Sequence, residues 1–214
     1  MATRDEGAVH LSPSERWEKQ LAFIREIDRV KSIFRRSYLL DKSRHDNDAE
    51  HSWHFAMMAL LLAEHASQTV DVGKVVKMAL VHDIVEIDAG DVLVYDIADP
   101  QARHAQERAA AERIFGLLPA DQARQLIDLW EEFERRETPE AIFAAALDRL
   151  DPLLHNCFTQ GKAWQENGVT DDKVLELNRR IGLAAPLVWE KARSLIFDCV
   201  EEGYLKKGAP KDES

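Results

Sequence analysis

The stretch LVHDIVE, residues 80–86, places a histidine and an aspartate side by side within an otherwise apolar helical pattern. Burial of an ionised aspartate costs free energy unless a cation or hydrogen bonds compensate for the lost water. A divalent metal ion compensates well, because it binds neutral imidazole and carboxylate together and favours the deprotonated state of both. The stretch therefore indicates a metal site inside a helical protein, and a buried, hydrogen-bonded His–Asp pair is the alternative.

Ligand-type side chains interrupt apolar helical patterns at two other places. His51 lies near the start of an apolar segment, and Asp148 directly follows the run Ala-Ala-Ala-Leu. A helical bundle can bring such side chains from separate helices to one point in its core. Two imidazoles and two carboxylates would leave coordination positions free for water and a phosphate oxygen. The expected ligands of a single divalent cation are His51, His82, Asp83 and Asp148.

Amphipathic helical spacing covers most of the chain. The segment SPSE, residues 12–15, has the features of a helix start, with a serine N-cap, a proline in the first turn and a glutamate three residues after the cap. No segment shows sustained period-two alternation rich in Val, Ile and Thr, so no sheet is predicted. The predicted helices cover residues 13–34, 48–63, 72–89, 101–118, 120–136, 139–165 and 171–200, the last with a bend at Pro186.

These helices predict an all-α bundle with a metal site between its helices. Residues 12–205 are expected to form one domain, with flexible ends at residues 1–11 and 206–214. Residues 35–47 and 92–100 lack clear helical periodicity and are interpreted as irregular segments. Helical spacing of large apolar side chains indicates core positions for Trp17, Trp53, Met57 and Trp189.

The charge balance limits the classes of partner. The formal charge of −11 results from 39 acidic and 28 basic side chains. Long DNA or RNA would be repelled by most of this surface, because its binding depends on neutralisation of phosphates by Lys and Arg. A small anionic substrate is not excluded, because one bound divalent cation can reverse the local field inside a pocket. The composition therefore argues against a nucleic-acid polymer and allows a nucleotide.

Apolar stretches and cysteines indicate the compartment. The longest apolar stretches, such as residues 55–63, fall far short of the roughly 20 residues that cross a bilayer. The N-terminal residues lack the apolar core of a secretory signal. Cys157 and Cys199 form no CxxC pair, and no GxSxG motif occurs, so neither a disulfide framework nor covalent Ser or Cys catalysis is indicated. We expect a cytoplasmic protein without membrane association.

The order of the ligand-type residues resembles a known family. His51, a His-Asp pair about thirty residues later and Asp148 on a later helix match the H…HD…D signature of the HD-domain superfamily of metal-dependent phosphohydrolases. The segments DAEHS (residues 48–52) and HDIVEIDAGD (residues 82–91) are similar to the branch that contains bacterial 5′-deoxynucleotidases and their eukaryotic HD-domain relatives. With the later LDRLD segment, the resemblance covers roughly residues 30–158.

The resemblance implies a role for each site residue. The four ligands named above would bind the metal, and Glu86 would act as the general acid or base. Asp91 would approach the leaving oxygen or the sugar of a nucleotide. The family's Leu-Lys-x-x-x-Arg-Trp run corresponds here to VKSIFRR, residues 30–36, so Arg35 is the candidate for the phosphate contact and Arg36 occupies the tryptophan position. Arg44 is a further basic candidate in the irregular segment at residues 35–47.

Alternative roles of single residues remain open from the sequence. Glu86 could be a surface carboxylate, and Asp91 could cap a turn after a glycine. The arginines, taken one at a time, could equally be solvated. The remaining histidines, including His54 and His155, are interpreted as structural or surface residues.

The implied reaction is hydrolysis of a phosphomonoester, above all a nucleoside 5′-monophosphate, by a metal-activated water. Mixed nitrogen and oxygen ligation favours Mn²⁺, Co²⁺ or Fe²⁺, with Mg²⁺ or Zn²⁺ as further options. The nucleotidases of the family form homodimers, which implies a homodimer here. A phosphodiesterase acting on another nucleotide and a non-catalytic, nucleotide-binding HD scaffold are the alternative functions.

Overall fold

Helices make up most of the computed structural model, which describes residues 11–92 and 99–208. The predicted all-α fold class is confirmed. Three short 3₁₀ segments join or extend the helices, at Asp28–Ser32, Ala63–His65 and His82–Val85. The α-helices are α1 Pro13–Ile27, α2 Asp48–Leu62, α3 Val72–Val81, α4 Glu86–Ala89, α5 Pro100–Phe115, α6 Ala120–Arg135, α7 Pro139–Phe158, α8 Lys162–Glu166, α9 Asp171–Asn178, α10 Ile181–Ala184 and α11 Pro186–Glu201.

A small antiparallel sheet occupies most of the segment that was predicted to be a loop. Strands β1 (Phe34–Tyr38) and β2 (His45–Asn47) pair with an irregular register, so the prediction of no sheet is wrong at this place. Ser37 is buried and donates a hydrogen bond to Asp46 across the pair at 2.8 Å. Strands this short and polar lack a recognisable alternation pattern, because cross-strand contacts rather than apolar periodicity hold them together.

The apolar faces of α1 and α2 are rotated relative to the prediction. Trp17 is 55% exposed and Trp53 is 63% exposed, so their predicted core positions are wrong. Phe23 and Phe55 face the interior instead. Both helices carry apolar residues on more than one side, and periodicity alone then cannot decide which stripe meets a neighbour.

Other core and boundary predictions also need correction. Met57 is 36% exposed rather than in the core, whereas Trp189 is partly buried and packs against the core as predicted. Helix α1 ends at Ile27, where the chain tightens into a 3₁₀ segment instead of continuing to residue 34. The predicted helix over residues 139–165 divides into α7 and α8 at Gly161, which has φ +68°. A Cβ at this glycine would lie 2.1 Å from a backbone oxygen of Tyr204, so only glycine fits there.

Helix α7 is the central element and carries the longest buried face. It contacts α2, α3, α6, α10 and α11. Its small side chains at residues 144–146 are all buried and allow close approach of the neighbouring helices. Because α2 and α3 both pack on α7, their polar residues meet those of α7 inside the protein.

The C-terminal region is more segmented than predicted. The expected helix over residues 171–200 consists of α9, α10 and α11, and Pro186 begins α11 rather than bending it, since proline suits the first turn of a helix. The Asp171 N–H donates to the Lys206 carbonyl at 3.0 Å, so residues 206–208 are tied to the start of α9. Of the two predicted flexible ends, residues 1–10 and 209–214 lie outside the described residues, as do residues 93–98 of the predicted irregular segment 92–100. None of the described helices is long and apolar enough to cross a membrane.

Candidate metal centre and active site

His51 reaches the interior from the first turn of α2. The helix begins with a capping box, in which Asn47 accepts from the Glu50 N–H and Glu50 accepts from the Asn47 N–H. His51 is 1% exposed, and its Nδ1–H donates to Asp151 Oδ2 at 2.7 Å. Because the carboxylate acceptor fixes the proton on Nδ1, Nε2 presents its lone pair to the opposite side.

His82 lies where α3 changes into a 3₁₀ segment. Its Nδ1–H donates to the carbonyl of Ala79 at 2.9 Å, which again leaves Nε2 with a free lone pair. Nε2 is buried and makes no hydrogen bond within the described part of the chain. Asp83 follows directly, and its Oδ2 lies 3.1 Å from His82 Nε2.

Asp148 completes the group from α7. Its Oδ1 lies 3.2 Å from His51 Nε2 and 3.7 Å from His82 Nε2. Asp83 Oδ2 is 3.8 Å from His51 Nε2. The structure therefore brings together the side chains that were proposed as ligands from three separate places in the chain.

Two of the four donor–donor distances, 3.1 and 3.2 Å, match the spacing of ligands around one cation, and the other two, 3.7 and 3.8 Å, are a few tenths of an ångström longer. Ligand atoms about 2.1 Å from a shared ion, at angles between 90° and 110°, lie roughly 3.0 to 3.5 Å apart. Burial by itself would lower the pKa of His82, but Asp83 and Asp148 outweigh it and raise the pKa to about 10. The anionic surroundings therefore favour a positive charge at this point, and a divalent ion can supply it in place of a proton. The residues fit a divalent metal site.

Arg35 lies beside this group as an internal counter-ion. Its Nη1 donates to Asp83 Oδ2 at 2.8 Å and to Asp48 Oδ1 at 3.3 Å. Asp48 is fully buried, and burial together with Asp83 raises its pKa to about 7. Ligand-type oxygens of Asp48, Asp83 and Glu86 lie within 4.8 Å of one another. The guanidinium thus contributes the positive charge that a second metal would contribute at this trio.

Glu86 projects from the start of α4 into the same cavity. Its Oε2 is buried and has no hydrogen-bond partner among the described atoms, and its Oε1 lies 3.7 Å from Arg103 Nη2. Burial, and then Asp83 and Asp48, raise the pKa of Glu86 well above the usual value. Such a carboxyl group can hold a proton near neutral pH and transfer it.

A cavity of about 350 Å³ opens over the group. This volume is at the lower end of the range for small-molecule sites. Arg35, Arg36 and Asp91 line it, and burial raises the pKa of Asp91 while Arg35 opposes the rise. The cavity is also lined by Phe133, Arg136, Arg149, Trp164, Asn167 and Asn178.

Among the residues predicted to bind substrate, Arg44 is the one that the structure does not bring to this cavity. Its guanidinium lies on the surface and binds both carboxylate oxygens of Glu50, at 2.6 and 2.8 Å. Glu50 is also the residue that completes the cap of α2. The geometry gives Arg44 a structural partner at the helix start.

Three residues of the site were not singled out from the sequence. Asp151 orients His51, Asp48 pairs with Arg35, and Arg103 donates to the carbonyls of Ala89 and Gly90 at 2.8 and 2.7 Å. Asp151 follows Asp148 by almost one helical turn, and this spacing is the sequence signal that could have identified Asp151 as part of the site. Asp48 is the first residue of the segment DAEHS, so its position beside His51 was a signal. Arg103 has no sequence signal that distinguishes it from other helix-surface arginines.

Comparison with known proteins agrees with this arrangement. A family model described as HD domain matches residues 27–189. The human 5′-deoxynucleotidase HDDC2 is 30% identical over 135 residues, which is 63% of this chain and 65% of that protein. The 5′-deoxynucleotidase YBR242W of Saccharomyces cerevisiae is 25% identical over 157 residues, or 71% of this chain and 64% of that protein. The chain thus spans about two thirds of the length of these curated relatives.

Solved structures give the same result for the fold. A crystal structure of a predicted metal-dependent phosphohydrolase from Magnetospirillum magnetotacticum has a TM-score of 0.84 and 50% identity, and the match covers 89% of this chain and 98% of that one. The PH0347 protein from Pyrococcus horikoshii has a TM-score of 0.59 at 19% identity, covering 82% of this chain and 99% of that one, and it supports the fold alone.

Proposed function

Since this chain belongs to the HD domain family, we propose that it is a divalent-metal-dependent phosphohydrolase whose substrates are nucleoside 5′-monophosphates. The observation that carries the proposal is the convergence of His51, His82, Asp83 and Asp148, with donor atoms 3.1 to 3.8 Å apart. The 5′-deoxynucleotidase activity named for the curated relatives supports the choice of substrate.

The proposed metal ligands are those four side chains, and the proposed ion is Mn²⁺, Co²⁺ or Fe²⁺. Two imidazoles and two carboxylates suit these ions better than a closed structural zinc site. A divalent cation bound there would lower the pKa of a water molecule and withdraw electron density from the phosphoryl group. Arg35 supports a single ion, because its guanidinium lies at the adjacent carboxylates of Asp83 and Asp48.

Two arginines are the proposed phosphate contacts. Arg35 uses Nη1 for Asp83 and Asp48, but its buried Nε makes no hydrogen bond within the described residues and retains a donor. Arg36 is exposed at the cavity and lines it. Planar guanidinium groups bind phosphate oxygens in a bidentate manner. We leave Arg44 out of this contact set, because Glu50 occupies its donors.

Glu86 is the proposed general acid, and Asp91 is proposed to contact the leaving oxygen or the sugar. Breaking the ester bond leaves negative charge on an alkoxide, which a protonated carboxyl group can neutralise. The buried position of Glu86 next to other carboxylates supports the protonated form before the reaction. Asp91 lines the same cavity, so a substrate bound at the metal could reach both groups.

We also propose a cytoplasmic homodimer in which residues 12–205 form one domain. Leu129 packs against both hydrophobic clusters of the core, which supports a single domain. The exposed side chains of Trp53, Leu60 and Leu61 on α2 support an interface, since exposed apolar patches often mark contact sites. The two free cysteines support a reducing compartment.

A phosphodiesterase is the second candidate, and one observation favours it. A cavity of about 570 Å³ adjoins the first and shares Arg136, Arg149, Leu177 and Asn178 with it. Positive charge beyond the metal site suits the additional phosphates of an oligomeric nucleotide, which a nucleoside monophosphate lacks.

A substrate panel tests the proposal. Metal-stripped protein would be supplied with Mn²⁺, Co²⁺, Fe²⁺, Mg²⁺ or Zn²⁺ and tested on ribonucleoside and deoxynucleoside monophosphates, sugar phosphates and phosphodiesters, with phosphate release or ester cleavage as the readout. We expect release from the mononucleotides. Cleavage of diesters alone would favour the second candidate, and nucleotide binding without product after long incubation would indicate a non-catalytic scaffold.

The Asp83→Ala variant tests the site within the same assay. Removing one proposed ligand should lower kcat/KM by more than about 10²-fold, beyond the range for supporting residues. Circular dichroism should show that the helices persist. A matched control is Asp71→Ala, which removes a surface cap of α3 on the same segment of chain. Hydrolysis by Asp83→Ala at the wild-type rate would contradict the assignment.

A further inference from the structure

A second group of ligand-type side chains lies behind the candidate metal centre. We call it the outer cluster: His54 of α2 with Asp151 and His155 of α7. One ligand atom of each residue lies within 4.8 Å of the other two. His54 Nδ1 is 2.7 Å and His155 Nε2 is 3.8 Å from the same oxygen, Asp151 Oδ1. None of the three residues lines the cavity described above.

Buried polar atoms at this cluster lack partners. Asp151 uses Oδ2 for His51, while its fully buried Oδ1 accepts no hydrogen bond of ordinary geometry from a described residue. His155 Nδ1 and Asp46 Oδ2, which lie 3.9 Å apart, are also buried and have no hydrogen-bond partner among the described residues. Unsatisfied buried polar atoms are costly and rare in native proteins, and a bound ion is one means by which such atoms are satisfied.

We propose that the outer cluster binds a second divalent transition-metal ion of the Zn²⁺ type. Its ligands would be His54 Nδ1, Asp151 Oδ1 and His155 Nε2, with water completing the coordination. Two imidazoles and one carboxylate select such an ion over Mg²⁺ or Ca²⁺, which prefer oxygen ligands. Asp46 lies on the far side of His155 and would accept from its Nδ1–H, as carboxylates commonly do behind metal-binding histidines.

The outer cluster is accessible from solvent through one of its ligands. The His54 side chain is 39% exposed, whereas Asp151 and His155 are buried. An ion can therefore enter from the surface of α2 without passing through the substrate cavity. An ion can therefore reach this site while the substrate cavity is occupied.

Asp151 connects the two sites. Its Oδ2 accepts from His51, and its Oδ1 faces the outer cluster. A cation on Oδ1 would withdraw charge from the hydrogen bond to His51, and two cations nearby would repel each other. The outer cluster also offers three protein ligands, whereas the candidate metal centre offers four. We expect the second equivalent to bind more weakly than the first.

Counting bound zinc tests the proposal without an activity assay. Untagged, chelator-stripped protein would be titrated with Zn²⁺ by isothermal calorimetry, and bound metal would be measured after equilibrium dialysis. We expect two equivalents for the wild type and one for His54→Ala. His65→Ala is the matched control, because this histidine lies just beyond the same helix, is partly buried and belongs to no such cluster among the described residues. It should retain two equivalents.

Further variants isolate the outer cluster. Asp83→Ala should still bind one equivalent there, and the double variant Asp83→Ala/His54→Ala should lose it. His155→Ala should reproduce the loss seen with His54→Ala, and thermal unfolding would verify that each variant is folded. A single equivalent in the wild type, or two in His54→Ala, would overturn the proposal.

Discussion

At the scale of single residues, Asp151 shows how a carboxylate behind an imidazole supports the candidate metal ligand His51. It accepts from His51 Nδ1 at 2.7 Å, and the bond fixes both the tautomer and the orientation of the ring. Burial alone would raise the pKa of Asp151, but the hydrogen bond from His51 and the nearby His54 imidazole outweigh it and hold the pKa well below the usual value. An ionised carboxylate therefore lies behind the imidazole.

Asp151→Asn should lower the metal affinity of the candidate metal centre without abolishing binding. An amide is a neutral and poorer acceptor, so we expect the Mn²⁺ concentration for half-maximal activity to rise about 10- to 100-fold. Activity at saturating Mn²⁺ should stay within several-fold of the wild type. The control is His54→Ala, which keeps the bond to His51. Equal Mn²⁺ requirements for Asp151→Asn and wild type would show that this hydrogen bond does not tune the site.

Glu86→Gln should slow the step that breaks the ester bond. Loss of a general acid typically costs about 10²- to 10⁴-fold in kcat, and we expect KM to change little. The loss should be much smaller for p-nitrophenyl phosphate, whose leaving group needs no proton, than for a nucleoside monophosphate.

The matched control is Glu107→Gln, another carboxylate that lines the cavity but is bound to Arg103 at 2.5 Å. It should retain most of the wild-type kcat. An equal loss for both substrates with Glu86→Gln would mean that this residue positions the substrate or the metal rather than donating a proton.

At the scale of elements, the start of α2 determines where His51 points. Asn47 and Glu50 form a capping box in the turn directly before His51, the candidate ligand. Each cap satisfies backbone N–H groups that have no partner inside the helix. The cap is Asn47, while the neighbouring Asp48 lies buried at Arg35.

Asn47→Ala should therefore affect both stability and metal affinity. We expect a loss of about 1 kcal/mol in the free energy of unfolding, measured in urea. Fraying of the first turn should also lower the Mn²⁺ affinity. Ser12→Ala removes the equivalent capping box of α1, far along the chain from the ligands. If Ser12→Ala weakened metal binding as much as Asn47→Ala, the effect would belong to global stability and not to the turn that carries His51.

The segment that follows α3 is a second place where the sequence predicted helical structure but not its exact form. Helical spacing predicted one helix over residues 72–89, but the chain changes to 3₁₀ geometry at His82–Val85 and resumes as α4. Short 3₁₀ stretches within helices often mark functional positions. Here the change occurs at the two adjacent candidate ligands, where Asp83 approaches both His82 and Arg35.

At the scale of the whole molecule, buried charge makes stability depend on the metal. The candidate metal centre and its surroundings hold several carboxylates that are buried or largely withdrawn from solvent, including Asp48, Asp83, Glu86 and Asp148. A ligand that binds only the folded state stabilises it by about 2.7 kcal/mol at 100 times its Kd. Metal removal should therefore lower the melting temperature.

Differential scanning fluorimetry can measure this effect. We expect the melting temperature to fall in EDTA and to recover with excess Mn²⁺. Asp83→Ala should show a much smaller recovery at the same Mn²⁺ concentration, because the site lacks one ligand. An unchanged melting temperature in EDTA and in excess Mn²⁺ would contradict a metal site of useful affinity in this protein.

The sequence by itself determined the helical class and the residue types of the site. Helix starts, apolar periodicity and caps are local properties, so the SPSE start of α1 and the polar pair in LVHDIVE were readable directly. The order of His51, the His-Asp pair and Asp148 indicated one shared centre, and the structure brings their side chains together.

Tertiary structure alone decided which faces meet and which partner each side chain takes. Trp53 faces outward although its spacing suits a core, the short sheet has no pattern of its own, and Arg44 binds Glu50 instead of facing the cavity. The bond between His51 and Asp151 joins residues 100 positions apart. Periodicity reports only the neighbours within a turn or two of one helix, whereas such contacts depend on how separate helices rotate and pack against α7.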